Sequence, residues 1–227
     1  MNLKKIIIAL DSDNFNDTLT IVKNLKNDAF AFKIGYEFFL NFGLSGYKAI
    51  KEENANIFLD LKLHDIPNTV ANGIKAIAKL NPYFTTIHLS GGDEMQKISS
   101  NFKINTKILG VSILTSLDSK QAKKYYNNNV EEIVSNFAKN ALINKLDGIV
   151  CSPQEIAIVK KITQNKLIIV TPGIRPINYE DSKDDQKRVM SPKEAINAGA
   201  NYLVMGRPIT KSTNPLKSLQ SINSSLE

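Results

Sequence analysis

Short apolar runs recur along the chain, each followed by a stretch of helical periodicity. The runs Lys5–Leu10, Ala29–Gly35, Ala55–Lys62, Tyr83–Leu89, Lys107–Leu114, Leu146–Cys151, Leu167–Thr171 and Asn201–Gly206 are rich in Ile, Val, Phe and Leu, with little polar alternation. Such runs suit strands buried on both faces of a parallel sheet. Between them the spacing predicts helices over Phe15–Leu25, Gly46–Glu53, Val70–Leu80, Val130–Leu142, Pro153–Ile162 and Pro192–Ala198. Two of these carry the same start signal. Ser152-Pro153-Gln154-Glu155 and Ser191-Pro192-Lys193-Glu194 each place Ser at the cap, Pro at the first helical position and Glu at the third. Gly199 supplies a left-handed stop for the second.

Eight βα units in 227 residues predict a TIM (β/α)8 barrel. An open doubly wound sheet would carry a Gly-rich loop after its first strand, and Asp11-Ser12-Asp13-Asn14 stands there instead. No linker, low-complexity tract or composition shift divides residues 1–227, so one domain is expected. The longest segment without periodicity, Ile174 to Met190, is polar and reads as a lid.

Composition narrows the setting. A hydrophobic content of 42% with 22% charged residues is that of a globular domain. The lone cysteine, Cys151, excludes an intrachain disulfide and suits a reducing compartment. The apolar run Ile6–Leu10 is short for a signal peptide and ends on Asp11, and no run approaches the ~20 residues of a membrane span, so a cytoplasmic protein without a membrane partner is expected. The net charge of +7 is spread along the chain without interleaved aromatics, which does not predict nucleic-acid binding.

Charge of both signs stands where the third strand should end, in Asp60-Leu61-Lys62-Leu63-His64-Asp65-Ile66-Pro67-Asn68-Thr69. Residues two apart on a strand share a face, so Asp60 and Lys62 point the same way. Asp65 lies just beyond, and Pro67 turns the chain into the next helix. Two carboxylates flanking one ammonium would keep that lysine charged, a proton donor held ready. The plainer reading is a salt-bridge cluster on a strand–helix loop, which contributes little. The strand ends weigh against it. Asp11, Lys33, and Asp60 with Lys62 close three consecutive strands, and charges are costly in a packed core.

On the other side, Thr171-Pro172-Gly173-Ile174-Arg175 follows the seventh strand and Met205-Gly206-Arg207-Pro208-Ile209 the eighth. These are the loops where phosphate commonly sits in a TIM barrel. Gly206 would let a backbone N–H approach an oxygen, while Arg175 and Arg207 add forked, charged donors. No metal is expected. The two histidines, His64 and His88, lack zinc spacing, and Lys62 already supplies the cation that Mg²⁺ would bring to Asp60 and Asp65. Nor does Ser90 or Cys151 have an obvious base partner for nucleophilic catalysis.

The motif Asp60-x-Lys62-x-x-Asp65-Ile66-Pro67-x-Thr69 resembles that of the orotidine 5′-monophosphate decarboxylase family. The likeness continues through Ala9-Leu10-Asp11, Phe32-Lys33-Ile34-Gly35, His88-Leu89-Ser90-Gly91-Gly92, Leu114-Thr115-Ser116 and Cys151-Ser152. It closes with Thr171–Arg175, Asp184-Asp185-Gln186-x-Arg188 and Gly206-Arg207-Pro208-Ile209. Leu89 departs from the small residue expected before Ser-Gly-Gly, which bears on local packing.

The resemblance implies decarboxylation of orotidine 5′-monophosphate to UMP and CO₂ without metal or cofactor. Lys62 would protonate C6, Asp60 would face the substrate carboxylate, and Lys33 with Asp65 would complete an alternating charge network. Asp11 and Lys33 would hold the ribose, Thr115 the base or nearby backbone, and Arg175, Gln186, Gly206 and Arg207 the phosphate. It also implies a homodimer in which Asp65 and Thr69 reach the neighbouring site. A related Mg²⁺-dependent sugar-phosphate decarboxylase would need a carboxylate at the second strand's end, where Lys33 stands. A nucleotide-binding barrel without catalysis would leave the Asp60–Lys62–Asp65 cluster unexplained.

Overall fold

A computed structural model describes residues 4–176 and 189–226. Its strands are β1 (Ile6–Ala9), β2 (Ala31–Ile34), β3 (Ile57–Leu63), β4 (Phe84–His88), β5 (Lys107–Val111), β6 (Gly148–Val150), β7 (Ile168–Thr171) and β8 (Tyr202–Met205). Each lies inside or within one residue of an apolar run read from the sequence. All pair in parallel with their chain neighbours, and β8 closes onto β1 at Ile7↔Val204, giving a closed barrel.

Apolar residues fill two layers. The smaller, inside the barrel, holds Ile7, Ala9, Ala31, Phe58, Phe84, Leu109, Val170 and Val204. The larger lies between the strands and the helices and takes the alternate positions, such as Ile6, Ile8, Phe32, Ile34, Ile57 and Leu59. Every strand is thus apolar on both faces, the reason its sequence shows little alternation. At the amino-terminal end, Phe30 stacks on Tyr202 at 4.1 Å and meets Tyr83 edge-on at 5.1 Å, closing the barrel's floor.

The helices are α1 (Phe15–Leu25), α2 (Tyr36–Glu52), α3 (Pro67–Leu80), α4 (Gly92–Asn101), α5 (Ser119–Tyr126), α6 (Val130–Ile143), α7 (Ile156–Thr163), α8 (Pro192–Ala198), α9 (Arg207–Thr210) and α10 (Pro215–Ser225). α1 and α8 match the sequence reading end to end. Ser191 N–H donates to Glu194 Oε2 at 3.0 Å, and Gly199 ends α8 at φ 118°. The Pro153 start opens as a short 3-10 turn before α7, with Ser152 N–H donating to Glu155 Oε2 at 3.0 Å.

Other boundaries differ. α2 begins ten residues before the predicted Gly46, because Gly43 at φ 54° kinks the helix and breaks its period. α4 escaped the pattern because two of its three buried residues, Gln96 and Ser99, are polar. Gln96 is satisfied by donating to the Leu89 carbonyl at 2.9 Å and accepting from Asn144 at 3.0 Å. α5 buries only Ala122, too little to show a period. Leu89 itself is buried, and Gly110 on β5 makes its room, since a methyl there would collide with the leucine.

Candidate active site

The inward positions of β1, β2 and β3 are apolar low in the barrel and change character at their carboxyl ends. Above Ala9 comes Asp11, above Ala31 comes Lys33, and above Phe58 comes Asp60. These side chains form a connected row. Lys33 Nζ lies 3.4 Å from Asp11 Oδ1 and 3.7 Å from Asp60 Oδ2. Lys62 Nζ lies 2.9 Å from the same Asp60 oxygen. Gly35 leaves space for this row, since an added Cβ would stand 3.0 Å from Lys33 Nζ and 3.4 Å from Asp11 Oδ1.

Lys62 faces inward with Asp60, as the two-residue spacing predicts, but leaves regular strand geometry. It sits at φ 45°, in a stretch where the β3–β4 register slips: Leu59 pairs with Thr85, but Leu63 with Ile87. Two more residues on β3 than on β4 are accommodated in that bulge. Bulges of this sort re-aim side chains next to active sites. The Lys62 N–H turns to Thr86 Oγ1 at 2.9 Å, and the Thr86 hydroxyl donates to Asp60 Oδ1 at 2.9 Å. Tyr36 stands beside them, its ring centroid 5.8 Å from Lys62 Nζ and its hydroxyl donating to the Leu61 carbonyl at 3.0 Å.

The electrostatics favour the ionised forms of Asp60 and Lys33. Burial by itself would raise the Asp60 carboxyl, but the Lys33 and Lys62 ammoniums and the bonds from Lys62 and Thr86 outweigh it and hold Asp60 below the usual carboxylate range. Burial likewise works against the Lys33 charge, yet Asp60 and Asp11 hold its ammonium above the ordinary lysine value. His88, at the end of β4, is pushed down first by burial and then by His64 and Lys62. His64 is exposed, its ring 5.3 Å from that of His88.

The row lines a cavity of about 710 Å³ at the carboxyl ends of the strands. The cavity gathers Asp11, Lys33, Asp60, Lys62, Thr115, Arg175, Gly206 and Arg207 from the sequence reading. It adds Ser12, Asp13 and Glu37, whose sequence signal was only their place just after a strand or at a helix start, and Lys211, which follows the short α9. The expectation that Asp65 flanks Lys62 within one chain is corrected. Asp65 is exposed, its Oδ1 accepts the Ile66 N–H at 2.7 Å, and neither it nor Thr69 lines this cavity. Gln186 lies outside the described residues, as does most of the predicted lid. The described residues at either end of that segment are joined, with Arg175 N–H donating to the Met190 carbonyl at 3.0 Å. Among the described residues, no group of three or more His, Cys, Asp or Glu is placed to hold a metal ion, and no helix is long and apolar enough to cross a membrane.

An alternating charged row on one side of a parallel barrel's mouth, with two arginines on the loops after β7 and β8, defines a site for a small anionic ligand. The chain belongs to the orotidine 5′-phosphate decarboxylase / HUMPS family, whose model matches residues 4–222. It is 45% identical over 221 residues to an orotidine 5′-phosphate decarboxylase of Ehrlichia chaffeensis, covering 96% of this chain and 94% of the relative. A relative of the same name from Pseudoalteromonas translucida is 41% identical over 230 residues, covering 99% and 97%. Among solved structures, that of orotidine 5′-phosphate decarboxylase from Lactobacillus acidophilus superposes with a TM-score of 0.85 at 34% identity, covering 99% of this chain and all of the other.

Proposed function

We propose that this protein decarboxylates orotidine 5′-monophosphate to UMP and CO₂, the last step of pyrimidine nucleotide synthesis, with Lys62 as the proton donor to C6. Family membership and the named relatives support the reaction. The observation that carries the mechanism is the Lys62–Asp60 pair, 2.9 Å apart and mounted beside Lys33 in the cavity.

Loss of CO₂ leaves an electron pair on a ring carbon that cannot delocalise it. An ammonium fixed beside that carbon stabilises charge only as it develops, and so lowers the barrier. Asp60 holds the Lys62 ammonium aimed, and in the complex it faces the departing carboxylate. Two such carboxylates at ~4 Å repel by roughly 4 kcal/mol at an effective dielectric near 20. The repulsion is relieved as CO₂ leaves. Lys62 then delivers its proton to C6, and no metal or organic cofactor enters the step. Asp11 and Lys33 hold the ribose, Thr115 the base or nearby backbone, and Arg175, Arg207, the Gly206 N–H and Gln186 the phosphate.

The active form is a homodimer in which Asp65 and Thr69 complete the partner's site. Their exposure away from their own cavity supports this. So does the apolar surface nearby, with Leu40 at 81% exposure and Ile66 at 68%, accompanied by exposed Tyr36 and Leu44. A Mg²⁺-dependent sugar-phosphate decarboxylase would require a carboxylate where the Lys33 ammonium stands, 3.7 Å from Asp60.

The test follows the ultraviolet absorbance of orotidine 5′-monophosphate with the purified protein in excess EDTA, beside a Lys62→Ala variant. Rapid loss with the parent and a fall of about 10³-fold or more with the variant is expected for a positioned acid and charge. A folded parent without turnover discards the reaction, and parent activity abolished by EDTA discards the metal-free step.

A further inference from the structure

Thr86 belongs to no motif read from the sequence and does not line the cavity, yet it touches both members of the central pair. It lies on β4 beneath the site and is fully buried. Its single hydroxyl accepts the Lys62 N–H and donates to Asp60 Oδ1, each at 2.9 Å. The direction of both bonds is forced. A backbone N–H can only donate, an ionised carboxylate can only accept, and a hydroxyl has one proton and two lone pairs. The bulge in β3 removes Lys62 from the backbone ladder. A side chain on β4 therefore replaces the carbonyl that a regular register would have offered.

Valine has the same shape and suits a buried strand, so packing alone gives no reason for a hydroxyl here. A valine would leave a buried N–H and a buried carboxylate oxygen each short of a partner. We propose that Thr86 is a positioning residue for the reaction, clamping the Asp60 carboxylate and the Lys62 backbone to one oxygen so that the ammonium is delivered to C6. This rests on the decarboxylation proposed above. Its neighbour supplies a matched control. Thr85 is equally buried on the opposite face of β4 and donates to the Leu59 carbonyl at 3.0 Å, touching neither charge.

The experiment measures kcat and KM across pH for the full-length parent and for Thr86→Val, Thr86→Ser and Thr85→Val, with thermal melts for each. Thr86→Val is expected to lose about 10- to 100-fold in kcat, as a displaced catalytic group does. Its KM should stay within about 3-fold, because an interaction used only in the transition state leaves substrate binding alone. The Thr86 bond favours ionised Asp60, so the acid limb of the Thr86→Val profile should also move to higher pH. Thr86→Ser keeps the hydroxyl and should stay near the parent, and Thr85→Val should keep its kcat. A Thr86→Val kcat near the parent's, a Thr86→Ser loss equal to that of valine, or an equal loss in Thr85→Val overturns the proposal. If the valine variant does not fold, Thr86→Ser decides: parent-like kcat and acid limb support it, and loss of either overturns it. A folded parent without turnover withdraws the reaction, and this role with it.

Discussion

Lys62 and Asp60 are two residues apart on one strand, and their side chains meet at 2.9 Å with Lys62 out of strand geometry, its φ at 45°. Left-handed backbone is uncommon for lysine and persists where surrounding bonds over-determine it. Here the Thr86 hydroxyl and the Asp60 carboxylate do so.

Asp60 is the hinge of the charged row, and removing its charge leaves Lys33 and Lys62 facing each other in a partly dry site. Asp60→Asn is expected to destabilise the protein by about 3 kcal/mol, the usual result of breaking a buried pair from one side. Urea unfolding at neutral pH reads it directly.

The same pair sets a pH signature. Asp60 is held below its unfolded value, so its contribution is present above the ordinary carboxylate range and lost as pH falls through the lowered value. Lys33 is held above its unfolded value, so its contribution is present below the ordinary lysine range and lost as pH rises through the raised value. Unfolding curves from pH 7 down to pH 2 should show a steeper acid loss in the parent than in Asp60→Asn. Parallel curves would contradict the assignment.

The proposed shared-site dimer makes a sharp prediction. Lys62→Ala and Asp65→Ala should each be nearly inactive alone. Mixed dimers carry both lesions in one site and none in the other, so random reassociation should restore about a quarter of the sites. A mixture as inactive as its components places Asp65 outside the partner's site.

Arg207→Ala, and Gln186→Ala from the predicted lid, should act on capture rather than on chemistry. Loss of a charged bond to phosphate is worth about 1.5–3 kcal/mol, or roughly 10- to 150-fold in kcat/KM. Orotidine without its phosphate should react equally with parent and variants. Equal losses on both substrates would move these residues away from the phosphate.

The barrel's floor offers the opposite behaviour. Phe30→Ala removes the ring stacked on Tyr202 and should cost about 2–3 kcal/mol of stability with KM unchanged. Thermal melts beside steady-state kinetics separate the two effects.

What the sequence determined by itself was the barrel and most of the cavity wall. Eight strands buried on both faces leave an apolar run for each, and in a parallel barrel the residues at the end of each run and in the loop after it face the site, so Asp11, Lys33, Arg175 and Arg207 were legible from position. Helices that bury polar residues, such as α4, or that bury almost nothing, such as α5, left no such trace. The tertiary structure alone decided how Lys62 meets Asp60, because a register slip against β4 is a relation between strands that neither strand encodes alone. It alone turned Asp65 away from Lys62, since the chain past the bulge bends into the Ile66–Pro67 turn and ties the carboxylate to its own backbone. And it alone singled out Thr86, a buried strand threonine like Thr85 by sequence, whose hydroxyl bonds both Lys62 and Asp60.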